Sequence, residues 1–138
     1  MPKTNYAENS ILNTVFRGVA FPTLPASMCI AAYSVIPGED GTGGTEITGA
    51  GYARVAVSRA AGSWKDPSTA TQGQVDNTAE IAFPVATGDY PAAVVAVGVL
   101  DDPTAGNLWY RGNLTASRTI LTGGQLKFNA NQLVVAEG

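Results

Sequence analysis

The side chains that most often carry enzyme chemistry are scarce in this chain of 138 residues, which has no histidine and one cysteine, Cys29. Histidine is the commonest general base, the usual partner of a serine or cysteine nucleophile, and the commonest metal ligand. With one cysteine and no histidine, an intrachain disulfide and a structural zinc site are both excluded. Because Cys29 stands in an apolar run, we expect it to be a small core residue rather than a nucleophile.

Paired carboxylates could still support glycosidase chemistry. Nearly all of the eleven acidic residues fall in predicted loops or at the ends of predicted elements: Glu8, Glu39, Asp40, Glu46, Asp66, Asp76, Glu80, Asp89, Asp101, Asp102 and Glu137. Only Glu80 lies inside a predicted strand, and there it points outward. Because no acid has the apolar neighbours that would raise a carboxyl pKa for acid catalysis, the sequence predicts a protein that is not an enzyme and has no cofactor.

Two acid pairs, Glu39-Asp40 and Asp101-Asp102, could also indicate calcium. A good calcium loop needs several acids at fixed spacing, whereas Asp-Asp-Pro before a glycine is common in turns. We expect turns and no metal, with calcium as the open alternative. The run Gly41-Thr42-Gly43-Gly44 lacks the following Lys-Ser/Thr and the strand-to-helix context of a phosphate-binding loop.

Three aromatic residues, Trp64, Trp109 and Tyr110, could line a carbohydrate site. Trp109 and Tyr110 are adjacent in a predicted strand, so they point to opposite faces and one of them belongs to the core. Trp64 stands in a polar loop, which makes it the better candidate for contact with a partner.

The charge of the chain argues against nucleic acid and membrane partners. The net charge is -3, and the eight Lys and Arg residues are scattered without a cluster. A nucleic-acid-binding protein normally has a basic stripe that displaces counterions, and an anionic membrane surface attracts the same feature. The longest apolar stretch, 91–100, is half of what a membrane span needs. We therefore expect a soluble protein that is not exported by the general route.

The N-terminal part predicts a short polar arm, 1–6, and one helix, 7–17. Asn5 and Glu8 have the spacing of a capping box, and Gly18 is a plausible end. Ile11, Leu12, Val15 and Phe16 fall on one helix face. Two interpretations of that face stay open: it packs on the sheet, or helix and arm clasp a neighbouring subunit.

The rest of the chain, 27–136, is typical of a β-rich body. Apolar residues alternate with polar ones, or fill both faces, in eight segments: 27–35, 52–59, 78–83, 92–100, 107–115, 117–121, 125–129 and 132–136. The segments 37–51 and 60–76 are predicted to be loops. No helical pattern separates the strands, so we expect one mainly β domain, 1–138, an antiparallel β-sandwich or jelly-roll-like fold with one N-terminal helix.

Several short blocks resemble a family of small phage proteins that are often labelled tail-fibre or virion structural proteins. The resemblance covers about residues 8–135. Its most specific parts are a glycine-rich block that runs into Gly51-Tyr52-Ala53-Arg54 and a block with the pattern Phe-Pro-x-Ala-Thr. The blocks are Phe16-Arg17-Gly18, Ala20-Phe21, Pro25-Ala26, Gly43-Gly44-Thr45-Glu46-Ile47 with Gly49, Gly51–Val57, Asn77-Thr78-Ala79, Phe83–Gly88, Gly106-Asn107-Leu108 and Leu114-Thr115.

The resemblance implies a phage virion component that is assembled in the cytoplasm of the bacterial host. The first interpretation is a capsid decoration (cement) protein that binds the major capsid protein and itself, as a dimer or trimer. The alternative is a tail-fibre or tail-tip subunit for host attachment, with a glycan near Trp64. The predicted partner interface comprises Pro2, Lys3, Thr4, Asn5, Tyr6, Gly43, Gly44 and Trp64.

Overall fold

The computed structural model describes residues 1–137, so Gly138, the last residue of the predicted domain, lies outside the described part. Over residues 1–137 the chain forms one α-helix and nine strands. They are α1 (Asn5–Arg17), β1 (Ser27–Val35), β2 (Thr45–Glu46), β3 (Val55–Ser58), β4 (Gln74–Asp76), β5 (Ile81–Ala82), β6 (Val94–Leu100), β7 (Leu108–Arg118), β8 (Lys127–Phe128) and β9 (Val134–Ala136). A single 3-10 turn, Ala61–Ser63, follows β3.

The main sheet is antiparallel and contains five strands. β1 and β6 lie in the middle, β7 lies beside β6, and β2 and β3 share the other side of β1. The register places Cys29 opposite Leu100 and Ala32 opposite Val97. Both central strands are apolar on their two faces, which is the pattern that predicted them to be interior strands.

A second layer covers one face of this sheet. It consists of two antiparallel two-stranded ribbons, β4 with β9 and β5 with β8. Between the layers lies the larger hydrophobic cluster, in which Ile30 and Val97 of the sheet meet Phe83, Leu126 and other residues of the second layer. The predicted mainly β, antiparallel sandwich with one N-terminal helix is confirmed.

The opposite face of the sheet carries a smaller cluster that includes Ala31, Tyr33 and Leu108. Gly98 lies beneath it, and a Cβ atom there would stand 2.7 Å from Leu108 Cδ1 and 2.9 Å from Tyr33 Cε2. Those distances are shorter than carbon atoms tolerate, so the close packing of this face requires a residue without a side chain at position 98.

Several predicted boundaries were wrong: the strands β3, β5, β6, β8 and β9 are shorter than predicted, and the following elements differ more. The helix starts at Asn5 rather than at residue 7, and Thr4, not the Asn5/Glu8 pair, caps it. The predicted loop 37–51 contains β2, and the predicted loop 60–76 contains β4. These strands have two and three residues, too few for an alternating pattern to be recognised. The predicted strands 107–115 and 117–121 merge into β7 as far as Arg118, because no turn-forming residue separates them.

Candidate functional site

Helix α1 carries its large apolar side chains on the outside of the molecule. Ala7 and Ser10 are its buried residues, whereas Leu12, Val15 and Phe16 are 53%, 65% and 78% exposed. Ile11, at 37%, stands at the border between the two sides. The interpretation that the face of Ile11, Leu12, Val15 and Phe16 packs on the sheet is therefore wrong.

The apolar face of α1 points outward because of the way in which the start of the helix is fixed. Thr4 is almost fully buried; its hydroxyl donates to the carbonyl oxygen of Leu108 at 2.5 Å and accepts from the backbone N–H of Ala7 at 3.4 Å. One side chain thus caps the helix and ties it to β7. Small residues then face the sheet, which lets the helix approach β7 closely and leaves the bulkier side chains outside.

The N-terminal arm belongs to the same anchor. The backbone of Lys3 forms an isolated antiparallel β-bridge with Tyr110. On either side of it, the N–H of Arg111 donates to the carbonyl oxygen of Pro2 at 3.2 Å, and the N–H of Thr4 donates to the carbonyl oxygen of Trp109 at 3.0 Å. The arm therefore extends the outer edge of β7 within its own chain. Lys3 also forms an ion pair with Glu137. Contact of Pro2, Lys3, Thr4, Asn5 and Tyr6 with a partner stays a prediction.

The exposed apolar residues continue beyond the helix. Gly18, with a φ of 64°, ends the helix in a left-handed conformation. Val19 and Phe21 follow at 46% and 40% exposure, and the ring of Phe21 lies 5.5 Å from that of Trp109. We call the six residues Ile11, Leu12, Val15, Phe16, Val19 and Phe21 the outer apolar surface.

This surface runs into a groove of about 380 Å³ between α1, β7 and the second layer. Ile11 and Phe21 belong to both, and Trp64 forms part of the groove wall. The other lining residues are Ala7, Leu24, Met28, Arg59, Val75, Val99, Trp109, Tyr110 and Val135. Trp64 is half-buried and its backbone bridges to Asn77. Gly43 and Gly44 are exposed in the β1–β2 connection and are absent from this lining.

Trp109 is the buried member of the adjacent pair, as expected of one of the two rings, although both Trp109 and Tyr110 line the groove. Trp109 is buried, and its indole N–H donates to Asp101 Oδ2 at 3.1 Å. Tyr110 lines the groove, and its hydroxyl bonds to Glu137. Burial, followed by the hydrogen bond and charge of Glu137, raises the pKa of the Tyr110 hydroxyl, so this group stays protonated over the ordinary pH range.

A partly buried polar cluster, formed by Glu46, Tyr52 and Arg54, was not predicted from the sequence. Arg54 binds Glu46 through Nε and Nη2 at 2.9 and 2.8 Å, and its Nη1 donates to the carbonyl oxygens of Asp102 and Ala105, both at 2.8 Å. The Tyr52 hydroxyl donates to Glu46 at 2.7 Å and accepts from the N–H of Ala32 at 2.9 Å. That N–H lies in the stretch of β1 between its pairings with β3 and β2, so the tyrosine satisfies a backbone donor that no strand reaches.

Members and neighbours of this cluster come from the two blocks of the sequence on which the resemblance chiefly rests. Glu46, Tyr52 and Arg54 come from the glycine-rich block. Phe83 comes from the Phe-Pro-x-Ala-Thr block and stacks on Tyr52 with ring centroids 6.0 Å apart. The N–H of Thr87 donates to the oxygen of Ala50 at 2.9 Å. A clue was present in the sequence, since Glu46 and Arg54 are opposite charges beside an aromatic residue in one short block.

Three of the four paired acids bond within turns, whereas Glu39 lies 3.8 Å from Arg111 Nη2. Asp101 Oδ1 accepts from the N–H of Asn107 at 2.7 Å, and Asp102 Oδ1 accepts from the N–H groups of Thr104 and Ala105 at 2.9 and 2.8 Å. Asp40 Oδ1 accepts from the backbone N–H and the hydroxyl of Thr42, both at 2.9 Å. Within residues 1–137 no group of three or more acids and cysteines has the arrangement of a metal site.

Cys29 is buried, as expected of a core residue. Burial raises the pKa of its thiol; the charge of Arg54 opposes that rise, and the charges of Asp102 and Asp101 add to it. A raised pKa disfavours the thiolate, which is the reactive form.

In the described part of the chain, no helix is long and apolar enough to cross a membrane.

A family model described as "Podophage GP4 fiber I protein gp80" matches residues 2–136. The chain belongs to this family. The match confirms the resemblance to phage tail-fibre and virion proteins at the level of the family, and it makes the chain a member of a family of structural components of the phage virion. No curated protein matches the chain.

Proposed function

We propose that this protein is a structural subunit of a podophage fibre and that the outer apolar surface of α1 and the residues after it is its assembly contact. The family description names a fibre component, which supports the fibre reading over the capsid decoration reading that the sequence analysis placed first. In this proposal the protein acts by binding other virion proteins rather than by turning over a substrate.

The exposure of Leu12, Val15 and Phe16 is the observation that carries the proposal. A helix in water ordinarily buries its apolar stripe, and large contiguous apolar patches on soluble proteins mark interaction sites. Because the helix is anchored through Thr4 and Ala7, the exposed residues are not needed to attach it to its own sheet. They are available for contact with a neighbour in the assembled particle.

Host attachment through a glycan at Trp64 has weaker support. The groove beside Trp64 is lined chiefly by aliphatic and aromatic residues, and the guanidinium of Arg59 is engaged with the carbonyl oxygens of Leu24 and Pro25 at 3.4 and 2.9 Å. A sugar needs several convergent polar partners as well as a ring to stack on. The groove suits apolar side chains better.

Copy number and location in purified particles test the proposal. We expect quantitative gel analysis, calibrated against the major capsid and portal proteins, to give a copy number in the range of tail components, and labelling with antibody-bound gold to mark fibres. A copy number comparable to that of the major capsid protein, with label over the shell, would instead support the decoration reading and overturn the fibre proposal.

A further inference from the structure

The outer apolar surface has no charge of its own. Helix α1 carries two charged residues, Glu8 in its first turn and Arg17 in its last. Glu8 stands three and four positions before Ile11 and Leu12, at the N-terminal edge of the surface, whereas the guanidinium of Arg17 donates to Asn13 Oδ1 of its own helix at 2.7 Å. The six side chains of the surface are uncharged, so two copies can meet on them with Glu8 left at the solvated rim of the contact rather than buried in it.

The spacing on the helix fits contact with another helix. Leu12 is followed by Val15 and Phe16 at three and four positions, so the three side chains stand together on the last turns of α1. Side chains in such rows pack into the grooves of a facing helix. In an assembly with rotational symmetry, one surface that matches itself is sufficient to join two copies.

The area is also sufficient for two copies. An aromatic side chain offers about 150–250 Å², and with the exposed fractions of the six residues the surface presents on the order of 500 Å². Two such surfaces bury about 1,000 Å² in total, where specific interfaces begin. The adjoining groove, which shares Ile11 and Phe21 with this surface, adds further apolar area.

We propose that the occupant of this surface is a second copy of the same chain, so that the protein self-associates through the outer face of α1. The proposal deepens the fibre function and rests on the same surface, but its test needs no virus particle. Association in dilute solution and location in the virion are separate observations, so either can fail without the other.

The test is the mass of the purified full chain by size-exclusion chromatography with light scattering, across a range of concentrations. We expect the wild type to have the mass of two or more chains and Leu12→Asp/Val15→Asp to have the mass of one. The matched control is Leu121→Asp/Val85→Asp, because Leu121 and Val85 are 58% and 53% exposed but lie outside α1. This control should keep the wild-type mass, and circular dichroism should show all three proteins folded.

A cross-link makes the test specific for the helix face. The native Cys29 is buried, so a cysteine at an exposed site is the one available for oxidation. We expect Phe16→Cys to form a covalently linked pair under mild oxidation, and Leu121→Cys to remain unlinked. A wild type that is a single chain at every concentration would overturn the proposal, as would an associated wild type whose mass survives Leu12→Asp/Val15→Asp.

Discussion

Arg54 is joined to Glu46 by two parallel hydrogen bonds, at 2.9 and 2.8 Å, in a site where the arginine side chain is only 8% exposed. Its remaining amino group closes the turn that connects β6 to β7 by donating to two carbonyl oxygens. One side chain therefore links β2, β3 and the turn at residues 101–106. In this structure the ionic contacts of a partly buried site serve the fold, whereas the exposed surface of α1 is apolar.

Removing either member of this pair should destabilise the fold, because the other charge would stay partly buried without its partner. We expect Arg54→Ala to lower the free energy of unfolding by about 2 kcal/mol, between the values for exposed and for buried pairs. We expect a smaller loss of stability for Arg54→Lys, which keeps the charge but whose ammonium cannot form the double contact. Denaturant titration measures both. Lys65→Ala is the control, since Lys65 is 40% exposed and its long 3.8 Å contact with Asp76 should contribute less than about 1 kcal/mol.

The stabilising effect of Glu46 should depend on pH. Burial alone would raise the pKa of its carboxyl, but the hydrogen bonds from Arg54 and Tyr52 and the charge of Arg54 outweigh burial and lower it below the usual 4.5. Because the folded-state pKa is the lower one, the stabilisation is present above about pH 4.5 and is lost as the pH falls through the folded value.

We therefore expect the stability difference between wild type and Glu46→Gln to be constant from neutral pH to about pH 5 and to shrink below pH 4.5. Chemical denaturation at a series of pH values measures that difference, and the other carboxylates cancel because they are common to both proteins. A difference that stays unchanged down to the acid limit of folding would show that Glu46 is not held ionised by Arg54.

Thr4 should be the residue that fixes the helix with its apolar face outward. We expect Thr4→Ala to lower the free energy of unfolding by about 1–2 kcal/mol, because the helix loses its cap and the hydroxyl no longer bonds Leu108. Hydrogen exchange should show faster exchange of the amides of α1 and little change in β1 and β6. Thr4→Ser keeps the hydroxyl and should retain most of the stability; equal loss in both variants would contradict the role given to the hydroxyl.

The thiol of Cys29 should not react in the native protein. It is 4% exposed, and burial raises its pKa. We expect no reaction with a bulky thiol reagent in buffer and one equivalent of reaction in denaturant. Fast labelling of the native protein would show that β1 opens at its contact with β6.

The sequence predicted the parts of the fold in which one strong pattern acts alone. The bounds of β1 were predicted correctly and β6 was placed in the middle of the sheet, because long runs apolar on both faces have few alternatives. Cys29 as a core residue and the turn role of Asp101 and Asp102 were predicted for the same reason. Short strands such as β2 carry too few residues for a pattern.

The sequence left two interpretations of the apolar face of α1 open and could not decide between them, because its direction depends on a tertiary contact. The apolar face of α1 is visible in the sequence, but its direction is decided by Thr4, whose hydroxyl bonds a carbonyl more than one hundred positions away. The default rule that an apolar helix face packs inward therefore gave the wrong orientation. Likewise, Glu46 and Arg54 were visible as charges, but their pairing depends on how β2 and β3 meet β1.

The most direct test of the central claim measures how much of the protein enters assembled particles when its outer apolar surface is changed. Phage carrying Leu12→Asp/Val15→Asp and phage carrying Leu121→Asp/Val85→Asp would be purified, and the amount of this protein per particle quantified against the major capsid protein. The account predicts particles that lack the α1 variant and contain the control variant at the wild-type level. Normal incorporation of a folded α1 variant would contradict it.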